Sequence, residues 1–430
     1  MELIFYTLRS ISSAMISPPL TLILVALLII FYIKNKKLTS MQRIIIGGDI
    51  NSALELTLSQ FVLGTVGGII ASIILVQLGI RFNYECGIQY LFFISILLMF
   101  IKPKYICFSY SAGILGLISI VYKILSNALP NISSVLRLEI DILYLLMFVG
   151  ILHVVEGILV MLDGHRGALP VFSEYENKII GGYALKRYWP VPISMIFIIL
   201  GTRIPNSIEM GMDMPSYWAI FNESSLPIIG SLVIMPLYAV LGYSSITFTK
   251  SKREKSLSSG ISILLYGIFV IAVAQVSRIG VLGEIVAVVL TPASHELMLK
   301  IQKKSENNSN LKFVSNEEGL VILDISNDSQ MNQYGVEIGD KIVSVNGEDI
   351  NSEKDIYEIL KKNFYRINIK VKKINGEEHD FNHVHDKTKR LGILLVPKKV
   401  LKEEVTPIQQ NSFKTILEDM KRSANSQKDN

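Results

Sequence analysis

Cysteine and histidine are scarce in this sequence: two of the first and six of the second in 430 residues. Cys86 and Cys107 form no C-x-x-C pair, and neither has a histidine at zinc-site spacing. The simpler reading of both is a small apolar side chain in an apolar run. Charge is scarce too. Asp, Glu, Lys and Arg make up 18% of the chain, against about 25% in an ordinary soluble domain. The net charge of +5 is modest. Its cations sit in short clusters beside apolar runs, so no nucleic-acid partner is expected.

Catalytic signatures are missing as well. His295-Glu296-Leu297-Met298-Leu299 opens like the H-E-x-x-H of membrane metalloproteases but lacks the second imidazole. Gly242-Tyr243-Ser244-Ser245-Ile246 lacks the second glycine of G-x-S-x-G. Gly47-Gly48 and Gly181-Gly182 are not followed by the Lys-Ser/Thr of a phosphate loop. His379, His383 and His385 fall in a polar hairpin, where an exposed cluster is a simpler account than a metal site. No catalytic residue, metal site or cofactor is expected, and the chain is not expected to be an enzyme.

What the sequence has in abundance is long apolar runs, confined to residues 1–300. A bilayer core of about 30 Å needs roughly 20 apolar residues as helix. Candidates lie near 16–33, 56–80, 88–101, 105–125, 140–162, 190–204, 226–248, 259–277 and 279–298, the third and sixth being short. The expected fold is therefore mostly α: a polytopic bundle of about eight spans over 1–300, then a small α+β domain. The first run lacks a cleavage site and is followed by Lys34, Lys36 and Lys37, so it reads as a retained anchor. Basic clusters recur in alternate loops, ending with Lys300, Lys303 and Lys304, while the loop at 205–225 is acidic. This positive-inside pattern places the loops at 34–55 and 163–189, and everything after 300, in the cytoplasm. Nine spans would put the N-terminus outside, and eight would put it inside. The basic loops also suit anionic membrane lipids as partners.

Polar residues within these runs need an account, because lipid makes them costly. His153 and Glu156 lie one helical turn apart, and Glu284, Gln60, Gln77 and Gln275 are scattered. Interhelical hydrogen bonds are the simpler account, and an ion pathway the sharper one. Gly64, Gly67, Gly68 and Gly113 read as sites of close helix packing.

From residue 311 the pattern shifts to short strands and turns. Tyr334-Gly335-Val336-Glu337-Ile338-Gly339-Asp340 leads into an apolar strand and an Asn346-Gly347 hairpin turn. A helix follows over 352–362, with Ile356, Ile359 and Leu360 on one face. Over about 85 residues this resembles a PDZ domain, here placed at 311–398. The resemblance implies a peptide groove between a strand at 320–325 and the helix at 353–362. Gly319, Leu320, Val321, Ile322 and Leu323 would line one side, and Ile356, Ile359 and Leu360 the other. An extended partner would add as a strand, its terminal carboxylate or bent main chain received by amides near Gly319, Leu320 and Val321. Residues 401–430 read as a disordered polar tail with one short helix at 413–420.

A many-span membrane part followed by a cytoplasmic PDZ domain resembles the MinJ-like division topology determinants of Gram-positive bacteria. The stretch Gly181-Gly182-Tyr183-Ala184-Leu185-Lys186-Arg187-Tyr188-Trp189-Pro190-Val191-Pro192 carries the resemblance locally. It implies a membrane-anchored adapter, enriched at septum and poles, joining a DivIVA-like polar scaffold to the Min system and its membrane ATPase. Two other readings stay open. One is a regulator related to intramembrane proteases, with His295-Glu296 as a remnant. The other is a transporter with an accessory PDZ domain, using His153, Glu156 and Glu284.

Overall fold

Local chemistry sets where the helices begin and stop. The computed structural model describes residues 2–128, 138, 140–176, 178–199, 208–209, 231–362, 366–384 and 391–398. The tail at 401–430, with its expected helix, lies outside them, as does most of the acidic loop at 205–225. A short helix α1 (Glu2–Ile16) precedes α2 (Pro18–Ile46). Pro18 sits in the first turn of α2, where no backbone donor is lost, and Gly47 ends the helix at φ 84°. In α3 (Ala53–Gln77) the Ser52 side chain caps the Glu55 amide, and in α6 (Ile142–Asp163) Asp141 caps Tyr144. Ser251 and Glu254 form a reciprocal capping box at α7 (Lys252–Ala274). Helices α4 (Tyr90–Ile101), α5 (Phe108–Ala128) and α8 (Val281–Asn308) complete this half.

Six of these helices, α2, α3, α5, α6, α7 and α8, are long and apolar enough to cross a membrane, and α4 is a shorter apolar one. Leu22, Phe100, Leu265 and Leu282 stand exposed on their outer faces. So much exposed apolar surface suits lipid as the solvent. The expectation of about eight spans is corrected here. The runs at 190–204 and 226–248 do not form helices where they are described. They belong to β3 (Lys178–Ile199) and β5 (Ser231–Thr247), which pair antiparallel from Tyr183↔Thr247 to Ile199↔Ser231. Gly242 to Ile246 are accordingly strand residues rather than a helix end.

The physical reason is in the sequence of β3. A helix over the whole length of β3 would carry Pro190 and Pro192 in its interior, where each removes a hydrogen bond and clashes with the preceding turn. A strand tolerates them where the N–H edge has no strand partner. Beyond β5, β3 pairs with β2 (Leu169–Tyr175) and β6 (Phe313–Val314) only up to Ala184, and with β1 (Arg81–Asn83) from Ile196. Between these, α3 covers the strand. A Cβ on Gly64 would lie 2.3 Å from the Pro190 carbonyl oxygen, and one on Gly68 2.1 Å from that of Pro192. The glycines thus bring a helix against a strand, while Gly67 meets Val155 and Leu159 of α6 and Gly113 meets Pro292 of α8. Trp189, Val191, Ile193 and Met195 are buried, so this non-helical backbone is sheathed in protein. The sheet is completed by β4 (Ile208–Glu209) against β5.

One buried ion cluster pins β3 in place. Arg187 Nε donates to Asp163 Oδ2 at 2.9 Å, Trp189 Nε1 donates to the same oxygen at 2.9 Å, and Arg187 Nη2 donates to Ser59 Oγ at 2.7 Å. Arg187 is therefore not a free topology cation or lipid contact, as its place in a basic loop implied. Polar residues inside the bundle bond between helices: Asn35 to Gln60 at 2.7 Å, Lys123 to Glu284 at 2.9 Å, and Gln275 to Met147 Sδ at 3.3 Å.

The C-terminal unit holds β7 (Leu320–Ile325), β8 (Lys341–Val345), β9 (Glu348–Asp349), α9 (Glu353–Lys362), β10 (Arg366–Lys372), β11 (Glu378–Val384) and β12 (Ile393–Leu395). Its sheet runs β11-β10-β8-β7-β12, with β9 paired to β8.

Candidate functional site

Alternation along β7 gives the C-terminal unit two apolar faces. Leu320 and Ile322 point into the unit's own core, with Ile356 and Ile359 of α9 and Ile393 and Leu395 of β12. Val321 and Leu323 point the other way and join the core of the helical half, with Leu394, Val396, Tyr183 and Phe313. All four β7 residues and both isoleucines are buried. Leu360 belongs to α9, but its side chain lies outside the described residues.

The strand expected to receive a partner is not at an edge. β7 lies between β8 and β12, pairing through Leu320↔Ile342 on one side and Asp324↔Leu394 on the other. Of the amides expected to hold a carboxylate, those of Gly319 and Val321 are engaged, as is that of neighbouring Ile322. Gly319 N donates to Asn316 O at 3.1 Å, Val321 N to Ser315 Oγ at 2.9 Å and Ile322 N to Asp340 O at 2.8 Å. Gly319 stands at φ 148°, and a Cβ there would lie 2.5 Å from the Ile342 carbonyl oxygen. Its close approach is to its own sheet, so a substitution at Gly319 would test folding rather than binding. Next to it, Glu318 accepts from Lys341 Nζ at 2.6 Å and from Lys372 Nζ at 3.1 Å. The Lys341 and Lys372 ammonium groups hold this exposed carboxyl down to about 2.

The end position belongs to β12, which terminates the sheet order. Gly392, at φ 68°, turns the chain into it, and Gly392 O accepts from Ser326 N at 2.7 Å. Val396 N then donates to Val321 O at 2.9 Å, so β12 is bonded to β7 on its inner side. Among the described residues no strand pairs with its outer side. The signal was in the run Leu391-Gly392-Ile393-Leu394-Leu395-Val396, legible as a strand but not as the end strand.

The opposite face of the unit is locked to the helical half. Tyr183 Oη donates to the Leu323 carbonyl, and Lys252 Nζ lies 3.0 Å from Asp324 Oδ1. Asn327 donates from its amide to Asp49 O at 3.0 Å and from its side chain to Ile50 O at 2.6 Å. A Cβ on Gly181 would sit 2.7 Å from Val396 Cγ2 and 3.1 Å from Leu323 Cδ1. Burial pushes the Asp324 carboxyl up, against the opposing pull of Lys252. The stretch 181–192 is thus a docking platform at one end and the proline-bearing partner of α3 at the other.

Away from this unit, Cys107, His153 and His295 converge between α5, α6 and α8. The sequence placed these residues in three unrelated segments.

No protein-family model matches the chain, and no solved structure matches it. The chain is similar to the cell division topological determinant MinJ of Bacillus subtilis (strain 168), with 23% identity over 237 residues, 54% of this chain and 55% of that protein. It spans about half the length of this curated relative in the match. The likeness agrees with the resemblance drawn from the 181–192 stretch and the domain order.

Proposed function

We propose that this protein is a membrane-anchored, non-enzymatic adapter in division-site placement, recruiting proteins through a cytoplasmic PDZ-like unit. The similarity to a cell division topological determinant supports the process. The observation that carries the mechanism is the end strand β12, whose outer side has no strand partner among the described residues while β7 is enclosed. An extended segment of a partner adds to the outer side of β12, with main-chain hydrogen bonds for affinity and neighbouring pockets for specificity. Rigid seating of the unit on the helical half holds this edge at a fixed height above the membrane. Confinement to two dimensions raises the effective concentration of partners, so weak contacts suffice. The partners of this reading are a DivIVA-like polar scaffold and the Min ATPase, and the basic clusters in the C-terminal parts of α2 and α8 keep the unit on the cytoplasmic side.

The test combines a functional fluorescent fusion in dividing cells with photocrosslinking from Tyr357 of α9, using Lys370 of β10 as control. Enrichment at septa and poles, with crosslinks to a division protein from Tyr357 alone, is the expected result. Uniform membrane signal through the cell cycle would remove the division role. Crosslinks from Lys370 but not Tyr357 would remove β12 and α9 from recognition.

A further inference from the structure

Three side chains from three segments meet inside the helical half. Cys107 immediately precedes α5, His153 lies in α6 and His295 in α8. Their ligating atoms all lie within 4.8 Å of one another. Cys107 Sγ is 3.0 Å from His153 Nε2 and 3.5 Å from His295 Nε2. Both histidines are buried.

The outer hydrogen bonds fix where the protons are. His153 Nδ1 lies 2.8 Å from the Val149 carbonyl, which can only accept, so Nδ1 carries the hydrogen and Nε2 presents a lone pair. Tyr110 Oη donates its one proton to Glu296 Oε1 at 2.7 Å. The contact of 3.1 Å between His295 Nδ1 and Tyr110 Oη must then be donated by the imidazole. His295 Nε2 is left with a lone pair as well. Two lone pairs therefore converge on one thiol, which has a single proton to share between them. A cation supplies what this donor-poor pocket lacks.

The donor set identifies the class of cation. One thiolate and two imidazoles suit zinc and its borderline-soft neighbours, not magnesium or calcium. In a tetrahedral site with bonds of about 2.0–2.3 Å, ligand atoms stand roughly 3.3–3.7 Å apart, close to the 3.0 and 3.5 Å from Cys107 Sγ to the two imidazoles. The shell behind the ligands is of the kind metal sites use: one imidazole held by a backbone carbonyl, the other by a tyrosine that is itself held by a carboxylate. Glu296 is partly exposed and paired with Lys104, so charged groups flank the outer side of the cluster.

We propose that Cys107, His153 and His295 form a transition-metal site, with zinc as the best-fitting ion, that ties α6 and α8 to the N-terminal end of α5. Three protein ligands leave one coordination position for water or a further group.

The full-length protein, purified in detergent without chelator from zinc-supplied cells and with any affinity tag removed, should contain about one zinc ion per chain. After chelation, cobalt(II) should bind with a thiolate-to-metal charge-transfer band and the strong visible absorption of tetrahedral cobalt. Cys107→Ser should abolish the charge-transfer band, and His295→Gln should weaken zinc binding by at least about 100-fold. Tyr110→Phe should weaken it by about 10- to 100-fold while leaving all three ligands in place. Wild-type protein with negligible zinc and no thiolate–cobalt band would overturn the proposal without reference to any variant. Zinc retained at full stoichiometry by a Cys107→Ser/His295→Gln protein would overturn it too, by locating the metal elsewhere.

Discussion

Replacing Asp163 by alanine is the sharpest single perturbation of this fold. Asp163 is fully buried and accepts from both Arg187 and Trp189. The Arg187 side chain is 1% exposed, so it cannot reach water when its partner is removed. Breaking one side of a buried pair costs about 3–5 kcal/mol, most of it the penalty of a charge left without a counter-ion. At about 1.4 kcal/mol per factor of ten, local opening should become roughly 10²- to 4 × 10³-fold more frequent. The consequence should spread along β3, because Gly181 and Tyr183 at its other end seat the C-terminal unit. Amide hydrogen exchange in nanodiscs would read both places: faster exchange at 183–189 of β3, and loss of protection in β7. Removing both partners, Asp163→Ala with Arg187→Met, should recover most of the loss, since an apolar replacement leaves no buried charge. Less than a tenfold change for Asp163→Ala, or no recovery in the double variant, would refute the assignment of this cluster as the pin of β3.

Gly68→Val should prevent native assembly, because its Cβ would fall 2.1 Å from the Pro192 carbonyl oxygen; loss of the monodisperse detergent-solubilised species is the readout, and a native elution profile would contradict it. Lys252→Met removes the cation paired with buried Asp324, so seating of the C-terminal unit should loosen at neutral pH, measured as protease sensitivity between α8 and β7. A carboxyl raised in the folded state is penalised when ionised, so seating should tighten as pH falls through its raised value and the group takes up a proton. Glu318 has the opposite sign. Its lowered carboxyl adds stability above the ordinary glutamate range and loses it as pH falls toward about 2. Carboxyl-resolved NMR should find it depressed in the native protein and higher in Lys341→Met; an ordinary value in both would remove the Lys341 contact.

Much of this architecture was legible from single segments. Apolar length marked α2, α3, α5, α6, α7 and α8, because a helix satisfies its own backbone; the caps Ser52, Asp141 and Ser251 emerged only with the structure. The glycines of α3 could be read as close-packing sites for the same local reason, although their partner is a strand. Pro190 and Pro192 were visible as residues that disfavour a helix interior, yet hydropathy alone read their neighbourhood as a span. Hydropathy measures preference for apolar surroundings, and a strand sheathed by protein meets that preference as well as a helix in lipid.

The order of strands in the C-terminal unit was not legible in the same way. The segments at 320–325, 341–345 and 391–396 each read as a strand, but which one ends the sheet depends on pairings between residues some 70 positions apart. The convergence of Cys107, His153 and His295 is of the same kind. No local spacing links a loop residue to histidines 46 and 188 positions further along the chain, and only packing of α5, α6 and α8 brings the three atoms together. The sequence by itself determined the elements whose hydrogen bonds close within themselves: the apolar helices and the Asn346-Gly347 turn. Tertiary structure alone decided the β3–β5 hairpin, the end position of β12, the docking through Tyr183 and Leu323, and the Cys–His cluster, because each exists only where distant segments satisfy one another.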